Sequence, residues 1–64
     1  MAIVKFSIGG KDGSGEARSI DELLRNLHIP VSSVITLVDG KIRPEDHELK
    51  DGEKITIIDV STGG

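Results

Sequence analysis

The chain contains no cysteine, no tryptophan and no tyrosine, and only one phenylalanine and two prolines. Without thiols there can be no disulfide, no thiolate nucleophile and no thiolate metal site, which suits a reducing compartment. With almost no aromatics the interior must be aliphatic, built from Ile, Val and Leu. A base-stacking platform is missing for the same reason. The Lys and Arg residues are scattered rather than clustered, so no phosphate-tracking surface is expected and nucleic acid is not an expected partner. No apolar run approaches the roughly 20 residues that span a bilayer. Met1-Ala2-Ile3-Val4-Lys5 also lacks the apolar core and cleavage site of a secretory signal. No membrane partner is therefore expected, and the cytoplasm is the expected location.

The 64 residues amount to one domain. A core of that size gives a net stability on the order of 3–5 kcal/mol and leaves little room for an enclosed active site. The net charge is −3, with acids and bases interspersed along the chain.

Val4, Phe6 and Ile8 alternate within Ala2-Ile3-Val4-Lys5-Phe6-Ser7-Ile8, which predicts a first strand with those three on one face. Gly9 to Gly15 carries too many glycines for a helix and reads as a hairpin loop, with a short return strand over Glu16 to Arg18. Ser19-Ile20-Asp21-Glu22 has the capping-box pattern: Ser19 accepts from the Glu22 amide while the Glu22 side chain bonds back to the Ser19 amide. A helix is expected from Ile20, its apolar stripe made of Ile20, Leu23, Leu24 and Leu27. Pro30 disfavours helical backbone at the residue before it, so the helix should stop by about His28.

Val34 to Val38 and Lys41 to Arg43 read as two strands joined at Asp39-Gly40, a dipeptide that tight hairpins favour. A polar excursion from Pro44 to Glu48 leads to Leu49, and Lys50-Asp51-Gly52-Glu53 turns the chain into a last strand, Lys54 to Val60. The order is β-β-α-β-β-β. One helix with one apolar stripe implies an α+β architecture, a single mixed sheet with the helix across one face. A right-handed crossover through the helix would set the two long end strands parallel at its centre.

The last strand runs into Ser61-Thr62-Gly63-Gly64. Glycines lack Cβ, so this backbone can enter a narrow channel, and four extended residues reach at most about 13–14 Å. Residues 1–60 are expected to be the folded domain and residues 61–64 a flexible tail that threads into a partner. The competing reading is a frayed end or a cloning remnant.

The element order, together with Leu37-Val38-Asp39-Gly40-Lys41-Ile42, Leu49-Lys50-Asp51-Gly52-Glu53-Lys54-Ile55 and the closing Gly63-Gly64, resembles the β-grasp sulfur carriers and ubiquitin-like modifiers. It is most similar in length and spacing to the thiamine-pathway sulfur carrier and the small archaeal ubiquitin-like modifiers. The resemblance spans essentially the whole chain. It implies the β-grasp (ubiquitin-like) fold and a chain that is not an enzyme but the substrate of one. In the family, an E1-like enzyme adenylates the terminal glycine carboxylate with ATP and Mg²⁺. The acyl adenylate then becomes a thiocarboxylate for a sulfur-acceptor enzyme, or an isopeptide on a target-protein lysine. By position that role falls on Gly64, with Gly63 its flexible neighbour. No stably bound cofactor is implied, since ATP and Mg²⁺ belong to the activating partner. The chain departs from two subgroups: it lacks the aromatics near the tail of the molybdopterin-synthase small subunit and the arginine-rich tail of ubiquitin.

The chemistry asks little of the chain itself. A terminal carboxylate has an unperturbed pKa of about 3.5, so at neutral pH it attacks an α-phosphate without a general base, which agrees with the missing nucleophile–base pair and cofactor motif. The rival reading is a non-covalent β-grasp interaction module with an inactive tail.

Strand five is apolar on both faces, and only one face can meet the helix. Counting back from the diglycine as in ubiquitin-like folds assigns Ile55 and Ile57 to the core. Ile58 and Val60, with a strand-three residue such as Leu37, then form an exposed patch that docks the activating enzyme. For Leu37, packing under a loop is an equal alternative. His28 and His47 lack the ligand neighbours of a metal site; His28 suits a helix C-terminus instead. Glu45-Asp46-His47-Glu48 lacks the ligand alternation of a Ca²⁺ loop and reads as a solvated loop. Gly10-Lys11 is followed by Asp12 rather than the Ser/Thr and helix of a P-loop. Lys5, Lys11, Lys41, Lys50 and Lys54 are all candidate acceptors of a modifier, Lys11 and Lys50 looking the more accessible.

Overall fold

A computed structural model describes residues 1–60. Its strands are β1 (Ala2–Ile8), β2 (Lys11–Ala17), β3 (Val34–Val38), β4 (Lys41–Ile42) and β5 (Lys54–Asp59), with one helix, α1 (Ile20–Asn26), and a 3-10 turn, Val31–Ser33, before β3. The sheet order is β2-β1-β5-β3-β4. β1 and β5 run parallel at the centre while β1–β2, β3–β5 and β3–β4 are antiparallel. This is the mixed sheet with one helix that the crossover argument requires, and it is consistent with the β-grasp architecture.

The core lies between α1 and one sheet face. Val4, Ile20, Leu23, Leu24 and Ile55 are its largest fully buried side chains, with Leu49, Val38 and Ile57 beside them and Phe6, Ile8, Leu27 and Ile29 packed at the margin. Residue parity follows the pleat: on β5, Ile57 is 3% exposed and Ile58 45%.

The second strand is longer than the composition implies. The chain reverses on Gly9-Gly10 alone, both at positive φ (57° and 81°), and the pairing Ile8↔Lys11 makes this a two-residue hairpin. Lys11 to Gly15, read as loop, are strand. Gly13 sits opposite Phe6, and a Cβ built on it would lie 2.6 Å from the Phe6 Cζ. Glycine is required there because the phenylalanine ring occupies the space of the missing side chain. Asp39-Gly40 is a second two-residue turn, with φ of 51° and 86°, between Val38 and Lys41. β4 ends at Ile42, one residue early, although the Arg43 amide still donates to the Thr36 carbonyl at 3.0 Å.

The helix begins at Ile20 with Ser19 as N-cap, its Oγ accepting from the Glu22 amide at 3.2 Å. The reciprocal bond differs from the expected box: the Glu22 carboxylate accepts from the Arg18 amide at 2.9 Å, one residue before the cap. Its C-terminus is a Schellman motif. His28, at φ 59°, donates its amide to the Arg25 carbonyl at 3.0 Å, and the Ile29 amide reaches the Leu24 carbonyl at 2.9 Å. The 43–49 segment does more than cross solvent. The Ile20 amide donates to the His47 carbonyl at 3.2 Å and the Asp21 amide to the Glu45 carbonyl at 2.8 Å, so this strap caps the helix start. Among the described residues no helix is long and apolar enough to cross a membrane.

Candidate functional site

The sheet face turned away from α1 carries the candidate site. On β5 it presents Lys54, Thr56 and Ile58, followed by Val60 just past the strand. On β3 it presents Ile35, paired with Ile58, and Leu37, paired with Thr56 and with Ile42 of β4. Ile35, Ile42, Ile58 and Val60 are exposed and Leu37 is half-buried. Five aliphatic side chains therefore share one side of β4-β3-β5, apolar surface of the kind that marks interaction sites on small domains.

Of the residues named from sequence, Ile58, Val60 and Leu37 fall together on this face, and Leu37 lies on the side opposite the core rather than within it. Ile35 and Ile42 were missed. Ile42 was accessible to reasoning, because a two-residue loop at Asp39-Gly40 forces Leu37 and Ile42 opposite each other; Ile35 then follows by period two from Leu37. Gly63 and Gly64 lie outside the described residues. The last described residue, Val60, is tied down by its amide to the Ser33 carbonyl at 2.9 Å, so the chain is held to the sheet at the edge of the patch.

The other half of the same face is mostly polar, with Ile3 of β1 its exposed aliphatic exception. β1 contributes Lys5 and Ser7, in register with Lys54 and Thr56 of β5. β2 contributes Ser14 opposite Lys5 and Asp12 opposite Ser7. Lys5, Phe6, Asp12, Gly13, Ser14 and Lys54 line a shallow depression there.

The histidines sit elsewhere. His28 is exposed at the helix C-terminus. His47, in the strap, has its Nε2 3.5 Å from Glu53 Oε2, and the other Glu53 oxygen accepts from the Lys50 amide at 2.7 Å. These contacts close the 47–53 turn onto itself. Among the described residues no three His, Cys, Asp or Glu side chains converge as a metal site would require.

With this geometry in view, comparison with known protein families shows that residues 8–64, most of the chain and every described element from the end of β1 onward, fit the model of the ThiS family.

Proposed function

Because the chain belongs to the ThiS family of ubiquitin-like β-grasp sulfur carriers, we propose that its working group is the Gly64 carboxylate, activated by an E1-like partner. Members of this family are sulfur carriers rather than enzymes, and membership implies an activating partner and sulfur-accepting enzymes in general. In the proposed first step a carboxylate oxygen of Gly64 attacks the α-phosphorus of ATP. A C–O–P mixed anhydride forms, the bond to the β-phosphate breaks, and pyrophosphate leaves with Mg²⁺ supplied by the partner. Sulfide (HS⁻) then adds to the acyl carbon, the C–O bond to AMP breaks and AMP departs, and loss of the S–H proton leaves a thiocarboxylate. Attack by a lysine amine instead gives an isopeptide and makes the chain a protein modifier.

The observation that carries this reading is the family match extending through Gly64. It is supported by the apolar patch of Ile35, Leu37, Ile58 and Val60 next to the Val60–Ser33 anchor. A partner gripping the patch would receive the following residues at a defined entry point. Gly63 and Gly64 carry no Cβ to obstruct a narrow channel.

Two measurements test the proposal. ATP–pyrophosphate exchange with the cognate activating enzyme is expected to vanish when Gly64 is deleted and to fall sharply for Gly64→Ala; full exchange by the deletion variant would refute activation at this residue. Intact mass of the protein from its native cells is expected to show the gain of an oxygen-to-sulfur exchange, or linkage to a lysine. A free carboxylate under every growth condition would favour the non-covalent interaction module.

A further inference from the structure

We infer that the activating partner presents carboxylates to Lys5 and Lys54, so that this lysine pair forms a second, electrostatic contact beside the apolar patch. The inference rests on the activation reading above and adds the chemistry of the partner's surface. Lys5 and Lys54 are register partners on the parallel central strands β1 and β5. They lie on the same side as Ile58, about 13 Å away at the rise of four strand residues. Like charges directly side by side across a strand pair disfavour folding.

Among the described residues neither lysine is in an ion pair. The adjacent acids are engaged otherwise: Asp39 Oδ1 accepts from the Lys54 backbone amide at 3.2 Å, and both Glu53 oxygens serve the 47–53 turn. Asp12 and Glu16 stand on either side of Ser14 on β2, both diagonal to Lys5, where they reduce the local field without pairing. A cationic pair that forms no ion pair inside the fold, on a chain of net charge −3, breaks the local rule, the pattern expected of a contact completed by another molecule.

The shape of the site selects an acidic protein surface over a small anion. β1 is hydrogen-bonded on both sides, to β2 and β5, so its amides are spent in the ladder and no nest of free N–H groups is offered to a phosphate. Two ammonium groups on flexible stems act as point charges. The aliphatic cluster on the same face requires apolar matter opposite it as well. A protein presenting an apolar knob flanked by Asp or Glu satisfies both halves of the face, the charges steering the encounter and the apolar contact holding it.

The test is ATP–pyrophosphate exchange with the cognate activating enzyme, titrating the carrier, for the Lys5→Glu/Lys54→Glu double variant. The expected result is a KM for the carrier raised about tenfold or more with kcat unchanged. Added NaCl should raise the wild-type KM and lower that of the variant, whose glutamates repel the partner's carboxylates. Lys5→Arg/Lys54→Arg should restore the wild-type KM, and Lys11→Glu, near the β1–β2 turn, should leave it unaltered. Lys5→Gln/Lys54→Gln, which only removes repulsion, guards against a folding artefact and should show an intermediate rise. A double reversal with wild-type KM and salt dependence overturns the inference while leaving activation intact. No exchange from the wild type overturns activation and this inference with it. If the Lys5 and Lys54 amide resonances move as strongly with inorganic phosphate as with the enzyme, the pair is a small-anion site and the inference also falls.

Discussion

Gly13 and Phe6 form the most demanding single contact of the fold. A Cβ at Gly13 would stand 2.6 Å from Phe6 Cζ and 2.9 Å from Cε1, closer than real side chains approach. Gly13→Ala must therefore tilt the only aromatic ring of the chain out of its place against the core, at a cost of about 1–3 kcal/mol. Gly15, two residues on, is a natural control: its added Cβ would meet Leu23 Cδ1 at 3.6 Å and Phe6 Cε2 at 3.8 Å, ordinary contacts. Urea unfolding should show Gly13→Ala clearly destabilised and Gly15→Ala close to neutral. In a Phe6→Leu background the Gly13→Ala penalty should shrink, because the two positions are coupled through the same space. Equal effects of the two alanine substitutions would show that backbone freedom, and not the ring, is what glycine supplies. Composition could not reveal this, since Gly9 to Gly15 looks like a loop. The available signal was the alternation of Gly13, Gly15 and Ala17, three small residues in phase with Phe6, Val4 and Ala2 across the hairpin.

The helix shows how far pattern reading reaches and where it fails. Its seven residues are far too few to persist alone, so its termini have to be satisfied by something outside the helix. The Ser19 cap was legible because a capping box is a side-chain pattern with fixed spacing, although Glu22 returns its bond to the Arg18 amide and not to Ser19. The strap was not, because His47 and Glu45 cap through backbone carbonyls, which any residue carries. The Schellman end was legible only as a stopping point: Pro30 announces it, but a histidine in the left-handed region at His28 is not what sequence favours there. The two caps of the helix start make a separable prediction. Ser19→Ala should cost about 1 kcal/mol and, in amide hydrogen exchange, deprotect Glu22 preferentially. Ile20 and Asp21 should stay protected, since their acceptors lie in the strap and not on Ser19. Equal loss of protection at all three amides would mean that the strap and the cap open as one unit.

A domain of this size has a stability on the order of 3–5 kcal/mol, and that narrow margin decides how its two faces can be used. The core face cannot absorb a charge, whereas the open face can carry both an aliphatic cluster and an unpaired lysine pair without unfolding. The topology behind this division was readable: the crossover argument gave parallel end strands, β1 and β5 pair that way, and period two separated Ile55 and Ile57 from Ile58 and Val60. What the open face meets was less readable, because exposure removes the packing constraints that make a pattern specific, and Ile35 and Ile42 surface only once register is known. Neighbouring residues on β5 therefore give the sharpest contrast in the molecule. Ile57→Asp, placing a carboxylate at a position 3% exposed, should exceed the whole margin and leave the chain unfolded by circular dichroism. Ile58→Asp, at 45% exposure, should cost about 1 kcal/mol or less. It should keep a cooperative melt and still raise the carrier KM in ATP–pyrophosphate exchange. A folded Ile58→Asp with wild-type KM would remove the patch from the docking surface. It would leave the family's carrier chemistry to reach its partner by the lysine pair and the residues beyond Val60 alone.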